Sequence, residues 1–108
     1  NPLPPDTAPE AAAGLLPRRP AQPFATFTQP LPLAPARPPP RAYVYCTRLG
    51  PVDVFGPFAE RARRERGWSY REIDASHSPH ITAPAALAEL LLELAEPLTA
   101  ASERAAGI

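Results

Sequence analysis

The sequence contains no lysine, no methionine and only one cysteine among its 108 residues. The single thiol, Cys46, excludes an internal disulfide and gives no indication of an oxidising compartment. All 11 basic residues are arginine, and 11 acidic residues balance them to a net charge of zero. Because a nucleic-acid-binding domain needs a basic face, we expect no nucleic-acid partner. One local basic run is interpreted as a solvated helix face: Arg61, Arg63, Arg64 and Arg66.

Long apolar runs are also absent. None approaches the roughly 20 residues needed to cross a bilayer. The N-terminal residues lack the basic start and apolar core of a signal peptide. We therefore expect a soluble, cytoplasmic chain with no membrane partner. Because the sequence starts at Asn1 and holds no methionine, we also expect it to be a piece of a longer protein.

Proline, in contrast, is abundant. Of the 18 prolines, 13 lie within the first 40 residues. Proline fixes φ and has no backbone N–H, so residues 1–40 predict a largely irregular connector, partly in polyproline II, with one helical turn over Ala11–Leu16. P-x-x-P spacing occurs, as in Pro17–Pro20, although proline richness alone makes such matches common. One alternative is therefore a non-enzymatic protein that binds a partner through this segment.

The pattern changes at Arg41. The β-branched and aromatic run Ala42–Thr47 predicts a strand that is buried on both faces. A helix is expected next, with Pro57 in its first turn and Gly67 as its C-terminal cap. The apolar stripe predicted for this helix comprises Val54, Phe58 and Ala62.

A second strand is predicted at Ser69–Asp74, followed by a loop at Ala75–His80. The terminal helix is predicted to have Pro84 in its first turn and to end at Pro97. Its apolar stripe would comprise Leu87, Leu90, Leu91, Leu94 and Leu98. Alternation of strands and helices is typical of an α/β fold with a parallel sheet.

Two strands do not make a complete sheet of this kind. A segment of about 60 residues buries only about 60% of the surface that its unfolded chain exposes. We therefore expect residues 41–97 to be part of a larger α/β fold, with residues 1–40 as its connector and residues 98–108 as a tail.

Two polar residues follow the predicted strands, where ligands bind in open parallel sheets. Asp53 follows the first strand and His77 follows the second. An imidazole that accepts a proton and a carboxylate that orients it are two members of a catalytic triad. The nucleophile is missing, because no G-x-S-x-G elbow occurs in the chain and Cys46 is interpreted as a structural thiol. A metal site that includes His77 and His80 is not favoured, because a third firm ligand is lacking.

Three segments carry a resemblance to a known family: "AYVYCT", "DVFGPFAERA" and "GWSYREIDASHSPHITAPAALAELLLELA". Together they resemble the C-terminal end of an α/β-hydrolase. The likeness is to the esterase branch that includes plant methylesterases, hydroxynitrile lyases and bacterial relatives. In that family, a strand is followed by the catalytic acid, and the next strand ends in a His loop before a Leu-rich helix. The run "QPFATFTQPLPL" resembles the stretch that joins the cap domain to the core.

The resemblance implies a partial α/β-hydrolase fold, consisting of the last two strand–helix units of a mostly parallel sheet. It implies that His77 is the catalytic base and that Asp53 is the acid, while Asp74 serves structure. The complete enzyme would hydrolyse small carboxylic esters through an acyl-enzyme, without a metal or cofactor. The nucleophile and oxyanion hole would lie outside these 108 residues, so the chain alone is expected to be inactive. A hydroxynitrile lyase-type activity on the same triad is a further alternative.

Overall fold

The two predicted strands pair as a parallel sheet. The computed structural model describes residues 2–105 and 107, with the side chains of 98–103 and 105 left aside. Strand β1 spans Arg41–Cys46 and strand β2 spans Trp68–Ile73, each beginning one residue before its predicted start. The register runs from Arg41 opposite Trp68 to Cys46 opposite Ile73. In the middle of the pair, the rings of Tyr43 and Tyr70 lie parallel with centroids 6.5 Å apart, a cross-strand contact that favours this register.

The remaining elements are five α-helices, so the described chain is a small mixed α/β domain. The predicted turn near residue 11 is confirmed as helix α1, which a short 3₁₀ turn at Leu16–Arg18 follows. Two further helices of only four residues were not predicted. The helices span Pro9–Leu15 (α1), Ala25–Thr28 (α2), Gly56–Arg64 (α3), Pro79–Thr82 (α4) and Pro84–Ala105 (α5).

Helix α3 connects the two parallel strands. Pro57 lies in its first turn, as predicted, where a missing N–H costs nothing. The predicted C-terminal cap is wrong by two residues, because Glu65 caps the helix. Gly67 instead has a φ of 87° in the turn that leads into β2, a backbone conformation that glycine adopts without strain.

The core between α3, the sheet and α5 is small. Its buried apolar residues are Ala59, Ala62, Ile73, Ala75 and Leu94. The stripe predicted for α3 is only partly right. Ala62 is buried, but Val54 lies before the helix and Phe58 is more than half exposed. The two buried alanines bring the helix backbone close to the sheet, and no described element covers Phe58.

Strand β1 is half-buried, so the prediction that both of its faces are buried is wrong. The physical reason is the width of the sheet, because two strands offer helices little surface on which to pack. The chain exposes 8861 Å², whereas a compact monomer of this mass exposes roughly 5,800 Å². Each strand also has one edge that pairs with no other strand among the described residues.

Helix α5 is longer than predicted. Leu94 is buried and Leu87 and Leu90 are half-buried, but Leu91 is half-exposed and the side chain of Leu98 lies outside those described. The predicted end at Pro97 is wrong, since the helix continues through it. An interior proline costs about 3 kcal/mol, and the alanine- and leucine-rich sequence around it favours helix. Within the described residues, no helix combines the length and apolar character needed to cross a membrane.

Two leucines of α5 provide a matched test of this small core. Leu94 is 6% exposed and Leu92 is 70% exposed. We expect Leu94→Ala to lower the free energy of unfolding by about 2–5 kcal/mol, because it removes buried methyl groups and leaves a cavity. Leu92→Ala should change it by less than about 0.5 kcal/mol. Urea unfolding followed by circular dichroism measures both, and equal effects of the two substitutions would contradict the packing of α5.

Candidate functional site

The candidate site lies at the carboxyl ends of β1 and β2. Pairing of the two chains continues past the strands, since the Thr47 amide donates to the Ile73 carbonyl and the Arg48 amide donates to the Ala75 carbonyl, both at 3.0 Å. The loops that carry Asp53 and His77 therefore start side by side. This is the edge where ligands bind in parallel sheets.

An ion pair joins the beginnings of the two loops. The Arg48 guanidinium donates to both carboxylate oxygens of Asp74, at 2.7 and 2.9 Å. This contact holds the pKa of Asp74 below its usual range. Asp74 follows β2 directly and is not part of it, and both of its oxygens are engaged. Its geometry agrees with the structural role expected for it.

Asp53 organises the start of α3. Its Oδ1 accepts hydrogen bonds from the Phe55 amide at 2.9 Å and the Gly56 amide at 2.8 Å, two of the N–H groups that a helix leaves free at its N-terminus. Its Oδ2 accepts a hydrogen bond from the Tyr45 hydroxyl at 2.5 Å. A Cβ on Gly56 would lie 2.6 Å from that Oδ2. Glycine at this position therefore allows the carboxylate to sit over the helix start.

These contacts change the acidity of both partners. The Tyr45 hydrogen bond lowers the pKa of Asp53, against a smaller opposing effect of desolvation, and the Phe55 and Gly56 amides lower it further. The same hydrogen bond is the main cause that raises the pKa of Tyr45 to about 12. Asp53 is therefore a carboxylate at neutral pH, and Tyr45 is a neutral donor.

His77 lies in a loop that is held at both ends. Its side chain is exposed, and its ring stacks on Phe55 with centroids 4.3 Å apart and planes 14° apart. On one side, the hydroxyl of the buried Ser76 lies 3.2 Å from that of Thr82. On the other side, the one-turn helix α4 follows at once. The imidazole is thus presented to solvent from a fixed backbone.

The structure places both predicted site residues in contact with Phe55, but the two residues do not contact each other through a hydrogen bond. Asp53 is bound to the Phe55 amide, and His77 is stacked on the Phe55 ring. Among the hydrogen bonds of the described residues, none joins Asp53 to His77. The phenyl ring lies against the face of the imidazole and leaves the ring edge, which carries both nitrogens, uncovered by that contact.

Two hollows flank the imidazole. The smaller, about 260 Å³, is lined by His77, Phe55, Leu49 and residues 43–46 of β1. The larger, about 590 Å³, lies between the His77 loop, residues 48–50 and the N-terminal residues 2–6. Only the larger has a volume typical of small-molecule sites.

Other candidate groups show no catalytic arrangement in the described residues. The hydroxyl of Ser76 faces Thr82. Burial raises the pKa of the Cys46 thiol, which disfavours the thiolate and agrees with a structural role. No group of three His, Cys, Asp or Glu side chains in the described part of the chain is placed to hold a metal ion.

Sequence reasoning missed the two tyrosines that reach this site from β1. Tyr45 binds Asp53, and the Tyr43 hydroxyl donates to the Phe55 carbonyl at 3.5 Å. The available signal was their spacing, because residues two apart in a strand share a face. A half-buried tyrosine hydroxyl also needs a polar partner, and the next loop supplies it.

Comparison of the chain with known protein families, with characterised proteins and with solved structures found no match in any of the three searches. No matched relative therefore supports the resemblance to α/β-hydrolases. The candidate site is therefore defined by geometry alone, by the placement of Asp53, His77 and Phe55.

The Tyr45–Asp53 contact can be tested by titration. Asp53→Asn removes the negative charge that disfavours the tyrosinate, so we expect the pKa of Tyr45 to fall from about 12 toward 10. Because the raised pKa belongs to the folded state, Tyr45 stabilises the fold below pH 10, and this contribution is lost as pH rises through about 12. Absorbance of tyrosinate at alkaline pH measures the shift.

Asp74→Asn is the matched control, because that carboxylate is bound to Arg48 and to no tyrosine. It should leave the tyrosine titration unchanged. A titration that is identical in Asp53→Asn and the unsubstituted chain would contradict the assigned hydrogen bond.

Proposed function

We propose that this chain supplies the C-terminal strand–helix units and the catalytic base of an α/β-hydrolase-type carboxylic ester hydrolase. The observation that carries the proposal is the position of His77. It follows the second of two parallel strands, at the sheet edge where ligands bind, and its ring stacks on the segment that Asp53 organises. The exposed imidazole borders a hollow of about 590 Å³.

In the proposed reaction, His77 accepts the proton of a serine hydroxyl as the serine oxygen bonds to the ester carbonyl carbon. The carbon–oxygen bond to the alcohol then breaks, and His77 returns the proton to the leaving alkoxide. Water, activated by the same imidazole, attacks the acyl-enzyme and releases the acid. The serine and the oxyanion hole would come from a part of the fold beyond this sequence.

Asp53 is the proposed acid. A carboxylate offers about four acceptor sites, and the bonds from Tyr45, Phe55 and Gly56 use three of them. The fourth would accept the Nδ1–H of His77, which would fix the tautomer that leaves Nε2 free to take a proton. The lowered pKa of Asp53 supports this role, because the acid of a triad must be ionised.

The unpaired strand edges and the exposed Phe58 support a larger fold around this unit. The nucleophile would then be placed by strands that pair with β1 or β2. The single free thiol, Cys46, is compatible with a reducing compartment such as the cytoplasm.

The test uses the longer protein that the proposal requires, with p-nitrophenyl butyrate as substrate. His77→Ala should lower kcat/KM by about 10⁶-fold, because the serine loses its base. Asp53→Asn should lower it by about 10⁴-fold, since the imidazole then loses the carboxylate that holds its tautomer. The 108-residue chain alone should show no saturable turnover.

Two matched controls isolate these roles. His80→Ala changes the other histidine of the chain, which lies in α4, and Asp74→Asn changes the carboxylate bound to Arg48. Both variants should keep kcat/KM within a few-fold of the parent. Undiminished turnover in His77→Ala would refute the proposed base, and saturable turnover by the isolated chain would place the nucleophile within these residues.

A further inference from the structure

The proline-rich segment contains a stretch that is exposed throughout. Residues 30–40 have no helix or strand, and every one of them is exposed. Leu31 and Leu33 are 77% and 81% exposed. No hydrogen bond or ion pair within the described residues involves any member of this stretch. Its apolar side chains are therefore free to contact another molecule.

This stretch carries an ordered pattern of side chains. Leu31–Pro32 and Ala34–Pro35 are two apolar–proline pairs placed three residues apart, and Arg37 follows two residues after the second proline. A polyproline II helix has three residues per turn, so the two pairs fall on one face and the arginine lies beyond one end. The prolines fix φ near the value that this helix needs, which lowers the entropic cost of binding.

The other P-x-x-P spacings of the chain differ from this one in sequence. They are Pro2–Pro5, Pro17–Pro20, Pro20–Pro23 and Pro35–Pro38. The residue two positions after the second proline is not basic in any of them, whereas after Pro35 it is Arg37. Proline richness alone would produce P-x-x-P spacings, but it would not produce the arginine that follows Pro35. The pattern around Pro32 is therefore more specific than a chance P-x-x-P match.

Local structure also separates this spacing from three of the others, namely Pro2–Pro5, Pro17–Pro20 and Pro20–Pro23. Pro17 lies in the 3₁₀ turn at Leu16–Arg18. The Pro4 carbonyl accepts hydrogen bonds from Thr7, and the Pro23 carbonyl accepts them from Thr26. The segment around Pro32 has no such local contact and can adopt the extended conformation without breaking one.

The charge around the segment has one sign. No acidic residue occurs between Glu10 and Asp53, while five arginines do. Arg37 forms no ion pair with any described residue. Its guanidinium is therefore available to a carboxylate on a partner, a contact that is geometrically specific when both N–H groups of the fork engage.

We propose that residues 31–37 are the ligand of an SH3 domain. In this mode, an aromatic-lined groove takes the two apolar–proline pairs, and an acidic pocket at the end of the groove takes Arg37. The groove recognises the ridge of a polyproline II helix, and the acidic pocket sets the direction in which the peptide lies. The proposal does not depend on the ester hydrolase function.

The experiment titrates the purified 108-residue chain into a set of purified SH3 domains, chosen because they accept a basic residue after the second proline. Isothermal titration calorimetry gives Kd, and shifts of ¹⁵N-labelled SH3 amide signals show which surface binds. We expect one-to-one binding in the aromatic groove. Arg37→Glu should weaken it at least tenfold, or about 1.4 kcal/mol, and Pro32→Ala with Pro35→Ala should abolish it.

The chain supplies its own matched controls. Pro17→Ala with Pro20→Ala changes another P-x-x-P spacing, and Arg19→Glu changes another exposed arginine of the connector. Both should leave Kd unchanged. Absence of binding to every SH3 domain, or equal weakening by the control substitutions, would overturn the proposal, as would binding to a WW domain alone. Pro32, Pro35 and Arg37 lie in an exposed stretch that makes no hydrogen bond or ion pair with the described residues, so loss of fold does not account for loss of binding.

Discussion

Parallel pairing of β1 with β2 is the constraint on which the rest of the structure depends. The pairing begins at Arg41 opposite Trp68 and is extended past both strands by the amides of Thr47 and Arg48. Parallel strands require a crossover connection, and α3 provides it. Because both strands run in one direction, their two exit loops meet at one edge. The contact between Phe55 and His77 depends on this pairing, because the pairing is what brings the two loops together.

Asp53 shows how one side chain can serve both fold and site. As an acceptor for two amides at the start of α3, it holds the turn that places Phe55 against His77. The same amides and the Tyr45 hydroxyl stabilise its charge and lower its pKa. A carboxylate that stays ionised is what a triad acid requires. Substitution of Asp53 would therefore disturb both the start of α3 and the candidate site. For this reason, the effect of an Asp53 substitution has to be compared with the effect of a His77 substitution.

Local patterns predicted most of the elements. Strand β1 follows from a β-branched and aromatic run, and a short strand was also predicted where β2 lies. Helices α3 and α5 follow from their spacing and from Pro57 and Pro84 in first turns. Burial was predicted less well. The exposure of Phe58 and the half-burial of β1 depend on which elements pack nearby, and periodicity shows only that a residue is apolar. The continuation of α5 through Pro97 depends on a balance of energies between one proline and the residues around it.

For the candidate site, the sequence predicted the positions of two residues but not their contacts. Asp53 and His77 follow the two neighbouring strands, as predicted, and their role in a site stays a prediction. The stacking of Phe55 on His77 and the reach of Tyr45 to Asp53 were not foreseen, because they depend on how two loops fold back over the strand ends. Such contacts join residues that are far apart in sequence, so no local pattern encodes them.

The strand edges that pair with no other described strand and the proline-rich segment are chemically distinct surfaces. An open edge of β1 or β2 presents alternating N–H and C=O groups, and a strand that pairs with it must donate as well as accept. Six of the 11 residues from 30 to 40 are proline, and they have no N–H to donate. This segment therefore cannot complete the chain's own sheet as a regular strand. A partner that completes the sheet must bring its own donors, whereas a partner for the proline segment must recognise side chains. The two surfaces therefore differ in the chemistry that they offer to any partner, since one offers backbone donors and acceptors and the other offers side chains.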